Sequence, residues 1–422
     1  MTGPVLRCAF VAAALVLAAP SAQAQVPADI AAGLKKIGQI VDPACTAKLY
    51  RPLMPKNDFN TYWPPSAPAP VFTGQLYPGT TIARDQSFGP NPKDVVDVFT
   101  PDKGGGNRPI LIYVPGGGGN KIEQQAREAN AFYDNIGRWA VRNGMIGVTV
   151  QRHPGANWDD GGRDLSLAVD WVKANAARYK GDGNRIFIWA HSAGNGPLGV
   201  YIAHPERWKN GVQVKGAIFM SGIELAPGVA ALTPRATGGG NPLAGAGQAC
   251  GLTNALGADG AIAGPSSAAP GAGAAGPARG GAIAGPGSGA PAAGPAAPGG
   301  GGAAPGAPPA GAGRGAGGGR GQLSAEQQAE RDSVPGFKKT PVRVMLIRAE
   351  LDPDVMGDML PIDKGLHDAM CSVDGANARD GAGHCPTMLF AKGESHVSEV
   401  FSIDTADKIV SGPILAWLKA TK

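Results

Sequence analysis

Apolar residues gather into short uninterrupted runs at 95–99, 109–114 (PILIYV), 145–150 (MIGVTV), 185–189 (RIFIW), 217–220, 342–348 (VRVMLIR) and 387–390. Most of these runs do not alternate with polar residues, which predicts strands of a sheet covered on both faces. Between them the spacing becomes helical. Leu165, Ala168, Val169 and Val172 fall at i, i+3, i+4 and i+7, predicting a helix over 164–176 with Asp164 as its cap. Further helices are expected over 123–141, after Ser192, and over 409–419 at the end of the chain. Strands alternating with helices predict an α/β fold on a mostly parallel central sheet with helices on both faces, opened by an antiparallel pair. Ahead of it, residues 25–80 read as a wrapping segment. Ile30, Leu34, Ile37 and Val41 there make one apolar helical face, followed by the Pro- and aromatic-rich Tyr62-Trp63-Pro64-Pro65.

Composition changes this picture in one place. Residues 261–320 hold 52 Gly, Ala or Pro in 60 positions, with no aromatic and no acidic residue. Such a stretch has too few large apolar side chains to offset the entropy of ordering, and it lacks the strict Gly-X-Y period of collagen. The expected organisation is one α/β domain in two parts, 81–237 and 323–422, interrupted by a disordered insertion over 238–322. The formal charge of +5 shrinks to +1 once Arg7, Arg279, Arg314 and Arg320 are set aside, so no nucleic-acid partner is expected.

Residues 1–24 read as a signal peptide. Arg7 precedes the short apolar run CAFVAAALVLAA, and Ala22-Gln23-Ala24 has the small residues of a cleavage site. Export to the periplasm or the medium follows, and no apolar run reaches the ~20 residues of a membrane span. The four remaining cysteines are even in number, as in exported chains that carry disulfides. Cys371–Cys385 is the favoured pair because it closes a short polar loop, leaving Cys45–Cys250. No CxxC pair or His/Cys cluster is present, so no metal or other cofactor is expected.

The sharpest chemical signal is Ala190-His191-Ser192-Ala193-Gly194, directly after the strand RIFIW and before a helix. A serine on a sharp strand-to-helix turn exposes its hydroxyl at the sheet edge, and only small neighbours fit beside it. Such a hydroxyl needs a base and donors for the developing oxyanion. Pro115-Gly116-Gly117-Gly118-Gly119, after PILIYV, offers unobstructed backbone N–H groups. It is not in P-loop or dinucleotide register. Among six histidines, His396 follows the final strand and precedes the closing helix, where a parallel α/β sheet presents its catalytic groups. His153 is second. His191 is expected to point away, and His204 to lie on a helix surface. The orienting acid is Asp352 of Glu350-Leu351-Asp352-Pro353-Asp354, because the proline enforces a turn at the strand exit. Glu350 and Asp354 are alternatives.

Four stretches then carry a resemblance: 86–99, PGGGG at 115–119, AHSAG at 190–194, and AELDP with GESHVSEV. Over 83–232 and 324–422 the chain resembles the α/β-hydrolase superfamily. More narrowly it resembles serine carboxylesterases with an HGGG loop and a GxSAG elbow, the hormone-sensitive-lipase-type and feruloyl-esterase-like enzymes. The resemblance implies hydrolysis of small-molecule or polysaccharide-linked esters by Ser192, His396 and Asp352 through an acyl-enzyme. It also implies an oxyanion hole from Gly117, Gly118 and the N–H of Ala193. Pro115 departs from the family's usual histidine, and Ala190 from its first glycine. An aryl-formamide amidase or a peptidase would use the same triad. A hydrolase fold without activity, binding at the cell envelope, is the reading of another class.

Overall fold

The computed structural model describes residues 26–50, 53, 77–116, 133–152, 158–222, 225–232, 248–250, 331–372 and 385–421. Its strands are β1 (Thr80–Ser87), β2 (Val95–Pro101), β3 (Arg108–Val114), β4 (Ile146–Val150), β5 (Gly181–His191), β6 (Gly216–Met220), β7 (Arg343–Leu351) and β8 (Thr387–Ser395). They form one eight-stranded sheet in the order β1-β2-β4-β3-β5-β6-β7-β8. β2 runs antiparallel to both β1 and β4, and every pairing from β4 to β8 is parallel. The fold class is therefore the expected one.

The continuous apolar runs are explained by cover on both sides. In β5, Ile186, Ile188 and Ala190 enter one core cluster, while Phe187 and Trp189 enter another on the opposite face. The first face is packed by α4 (Trp158–Asn175), α5 (Asn195–Ala203), α6 (Val334–Lys339) and α7 (Pro361–Cys371). The second is packed by α3 (Asp134–Arg142), α8 (Ser398–Phe401) and α9 (Ser411–Ala420). A third cluster joins α1 (Ala28–Ile37) and α2 (Pro43–Tyr50) to Leu351, Val397 and Phe401, so the N-terminal segment packs on the end of the sheet.

One helix expectation is corrected and another is seen in part. α4 begins at Trp158, so Asp164 lies inside the helix and does not cap it. The predicted 123–141 helix is seen as α3 from Asp134 onward, and residues 117–132 lie outside the described ones. So do residues 1–25, 62–65 and nearly all of the Gly/Ala/Pro stretch with its flanks.

Strand order positions the site. The chain leaves β3 for β4 on one side, then returns to β5 on the other. The order reverses between β3 and β5, where parallel α/β sheets open a crevice at their carboxyl ends. Val114 pairs with Ala190, His191 with Met220, Met220 with Ile347, and Leu351 with Ser395. Residues remote in sequence thus leave the sheet along one edge.

Candidate active site

At the end of β5 the backbone turns abruptly. Ser192 has φ +50°, a left-handed conformation that a serine keeps only under imposed constraint. Residues Ser192–Gly194 form one 3₁₀ turn before α5. A side chain at Gly194 would lie 2.7 Å from the Val114 carbonyl oxygen and 2.9 Å from that of Pro115, so the turn and the end of β3 are in direct backbone contact. Asn195 fixes the turn from below, donating from Nδ2 to the carbonyl of Ser192 at 2.7 Å and of Met220 at 2.9 Å.

His396 comes to this turn from the other end of the chain. Its Nε2 lies 2.8 Å from Ser192 Oγ, and its Nδ1 lies 2.6 Å from Asp352 Oδ1. A carboxylate only accepts, so Nδ1 carries the proton and Nε2 presents its lone pair to the serine hydroxyl. The histidine stands between Ser395 and Ser398, which lock its turn. Ser395 N–H donates to Ser398 Oγ at 2.6 Å, and Ser398 N–H donates to Ser395 Oγ at 3.3 Å. All three side chains are buried, with Asp352 wholly so.

Of the three acids in its loop, Asp352 is the one that meets the His396 ring. Glu350 instead accepts from the Gly393 N–H at 2.7 Å, and Asp354 sits in a left-handed turn at φ +65°. The second oxygen of Asp352 is held from behind. Arg348 Nη1 donates to Oδ2 at 3.0 Å, and Ser221 Oγ donates to the same atom. Arg348 is itself fixed by Asp363 through two bonds at 2.9 Å and by the Gly222 carbonyl at 2.7 Å. Burial pushes the Asp352 carboxyl up. The charges of His396 and Arg348, with hydrogen bonds from His396 and Ser221, outweigh it and hold the group well below the usual carboxylate range. Burial likewise opposes the charge of Arg348, but Asp363 and Asp352 keep the guanidinium protonated.

The arrangement holds a hydroxyl against an unprotonated ring nitrogen whose far side faces a charged carboxylate. It can take a proton from the serine and keep the resulting imidazolium paired. Of the residues expected in the oxyanion hole, Ala193 is an exposed residue of the elbow turn, whereas Gly117 and Gly118 lie outside the described residues. Before them, Pro115 and Gly116 are tied down by Arg152, which donates to their carbonyls at 2.8 and 3.4 Å. His153 and His384 also lie outside the described residues.

Two histidine expectations are overturned. His191 does not point away. Its Nε2 donates to the His396 carbonyl at 2.7 Å, and the two rings lie 4.9 Å apart. His204 is buried rather than on a surface, between Ser333 Oγ and Glu206 Oε1, each at 3.2 Å, because the 331–333 segment covers the end of α5. Sequence reasoning also missed Ser221, Arg348 and Arg152. Arg348 left a signal: a cation inside an otherwise apolar buried strand demands a carboxylate partner, and Asp352 stands four residues on. Both expected disulfides form, with Cα atoms 5.5 Å apart for Cys45–Cys250 and 5.0 Å for Cys371–Cys385. Among the described residues no group of three or more His, Cys, Asp or Glu is placed to hold a metal ion, and no helix is long and apolar enough to cross a membrane.

Residues 95–240 match the carboxylesterase family. Secreted lipase 5 of Gibberella zeae is 31% identical over 133 residues, covering 28% of this chain and 23% of the lipase. Phenmedipham hydrolase of Pseudarthrobacter oxydans is 28% identical over 151 residues, covering 33% of this chain and 29% of the hydrolase. The chain thus spans about a quarter of the length of these curated relatives. The crystal structure of esterase B from Lactobacillus rhamnosis superposes over 82% of this chain and 86% of its own, with 10% identity and a TM-score of 0.49. The match to the carboxylesterase family, over residues 95–240, takes in β3 and β5 and the reversal of strand order between them.

Proposed function

We propose that this protein is an exported serine hydrolase that cleaves carboxylic esters. The observation that carries the reading is the Ser192–His396–Asp352 relay, with its 2.8 and 2.6 Å contacts at the carboxyl edge of the sheet. Ser192 Oγ attacks the ester carbonyl as His396 Nε2 takes its proton. The same nitrogen returns that proton to the departing alcohol, and the acyl-enzyme is then hydrolysed by a water that His396 deprotonates. Asp352 keeps the proton on Nδ1 throughout. The Ala193 N–H, with those of Gly117 and Gly118, stabilises the oxyanion, a contribution whose removal costs roughly 100–1,000-fold in rate. The substrate is a small-molecule or polysaccharide-linked ester. The signal-like residues 1–24 and the two disulfides support a periplasmic or extracellular setting.

The test is a panel of p-nitrophenyl esters of increasing acyl length beside aryl formamides and peptide anilides. Turnover of the esters, and little of the others, is expected. Preference for formamides or anilides would move the activity to amide bonds. Absence of turnover on all three would favour a binding protein on a hydrolase fold.

A further inference from the structure

The residue before the serine makes a contact that the triad does not require. His191 is the last residue of β5, and its imidazole is almost fully enclosed. Nε2 lies 2.7 Å from the backbone oxygen of His396. A carbonyl oxygen cannot donate, so the hydrogen sits on Nε2 and the ring is a fixed tautomer. Its other nitrogen faces the start of the glycine loop, since a side chain at Gly116 would come within 2.9 Å of His191 Nδ1. The ring therefore stands between that loop and the turn that carries the base. Two neighbouring side chains grip one residue: Ser192 bonds the His396 ring, and His191 bonds the His396 backbone.

We propose that His191 is a positioning residue that registers the nucleophile strand against the base-bearing turn and so sets the Ser192–His396 distance. This rests on the ester-hydrolase reading above. Without His191, the 395–398 turn keeps its own serine bonds but loses its polar tie to the strand that carries the nucleophile. Reaction rates are steep in such distances, and a displacement of about 1 Å costs on the order of 100-fold.

The charged and titratable groups facing the ring are His396, Asp352, Arg348 and Glu399, whose Oε1 lies 3.3 Å from His191 Nε2. Burial, and then the charge on His396, push the His191 imidazole down to about 3, so it stays a neutral donor while His396 gains and loses its proton. Burial and the neighbouring Asp352 push the Glu399 carboxyl well up. The tie therefore needs no ion pair.

The experiment compares wild type, Ser192→Ala, His191→Phe and His191→Gln for kcat and KM on p-nitrophenyl butyrate, with melting temperatures beside them. Phenylalanine keeps the bulk and removes the donor, whereas glutamine keeps an N–H within reach. The expected result is a kcat lowered about 10- to 100-fold in His191→Phe with KM changed less than about twofold, and recovery to within about threefold of wild type in His191→Gln. Wild-type kcat in His191→Phe, or an equal loss in both variants, overturns the inference while leaving the ester reading intact. If His191→Phe does not fold, His191→Gln decides: near-wild-type kcat supports the tie, and a loss of about tenfold or more overturns it. A wild type without turnover that equals Ser192→Ala removes the ester reading and this inference with it.

Discussion

Asp352 is held on both oxygens, and the two do different things. Oδ1 accepts the hydrogen bond from His396 Nδ1, while Oδ2 is occupied by Arg348 and Ser221. An Asp352→Asn variant would keep the shape but could present its NH₂ to Nδ1, driving the ring proton onto Nε2, where the serine needs a lone pair. The expected loss is about 10⁴-fold in kcat, as in other hydrolases with this arrangement. Stopped-flow or steady-state kinetics on an aryl ester checks it. A pH profile adds the sign. Protonation of the base removes its lone pair, so kcat/KM falls as pH falls. Asp352 is held well below the usual carboxylate range, so it stays charged along that limb, and a kcat/KM that did not fall with pH would contradict the assignment of a histidine base. At this scale much was legible. Ser192, Asp352 and His396 each stand where a strand stops, and each lies within a few residues of the end of an apolar run. Ser221 and His191 were not legible, because a polar residue next to a strand end does not reveal what lies across the sheet from it.

Among the elements, the N-terminal pair α1–α2 bears on the site from behind. Tyr50 of α2 donates its hydroxyl toward Glu394 Oε2 and Asp407 Oδ2, each 3.1 Å away, and Ser398 Oγ also donates to Glu394. Glu394 precedes His396 by two residues. Its burial, then the charge of Asp407, push its carboxyl up to about 8 from an ordinary 4.5. The folded state therefore takes up a proton here. Stability from this site is complete below pH ~4.5, declines as pH rises, and is gone above ~8. A Glu394→Gln variant, which mimics the protonated acid, should exceed wild type by roughly 2–4 kcal/mol near pH 8.5, with the difference vanishing near pH 4.5. Denaturant melts at the two values check this, and a constant difference would refute the raised Glu394 carboxyl. The sequence hid the arrangement. The predicted final strand stopped at residue 390, yet β8 continues to Ser395 through Ala-Lys-Gly-Glu-Ser, a polar string that reads as loop. Asp164 misled for a related reason: a capping residue type has no positional meaning once a helix is anchored by tertiary contacts upstream of it.

For the whole molecule, the connection between β6 and β7 is long in sequence but closes a short gap, because the two strands pair directly from Gly216–Arg343 to Met220–Ile347. The cost of closing such a connection grows only slowly with its length, so deletion of residues 261–320 should leave kcat/KM within about threefold on short esters. A larger shift would put that stretch at the acyl pocket. Cys45–Cys250 spans 205 residues and ties α2 to the start of this connection, so a Cys45→Ser/Cys250→Ser double variant should lose ~2–5 kcal/mol in denaturant melts. The sheet itself was legible because its strands are buried on both faces and read as unbroken apolar runs. β1 was weakly marked, since Thr80–Ser87 is an edge strand with only its first residue buried. The central claim is that Ser192 is the nucleophile activated by His396. The most direct test is reaction of the whole protein with a fluorophosphonate, followed by mass-spectrometric mapping of the adduct. One equivalent on the peptide containing Ser192, absent from Ser192→Ala and strongly slowed in His396→Ala, is the predicted result; no adduct, or an adduct on another residue, would contradict it.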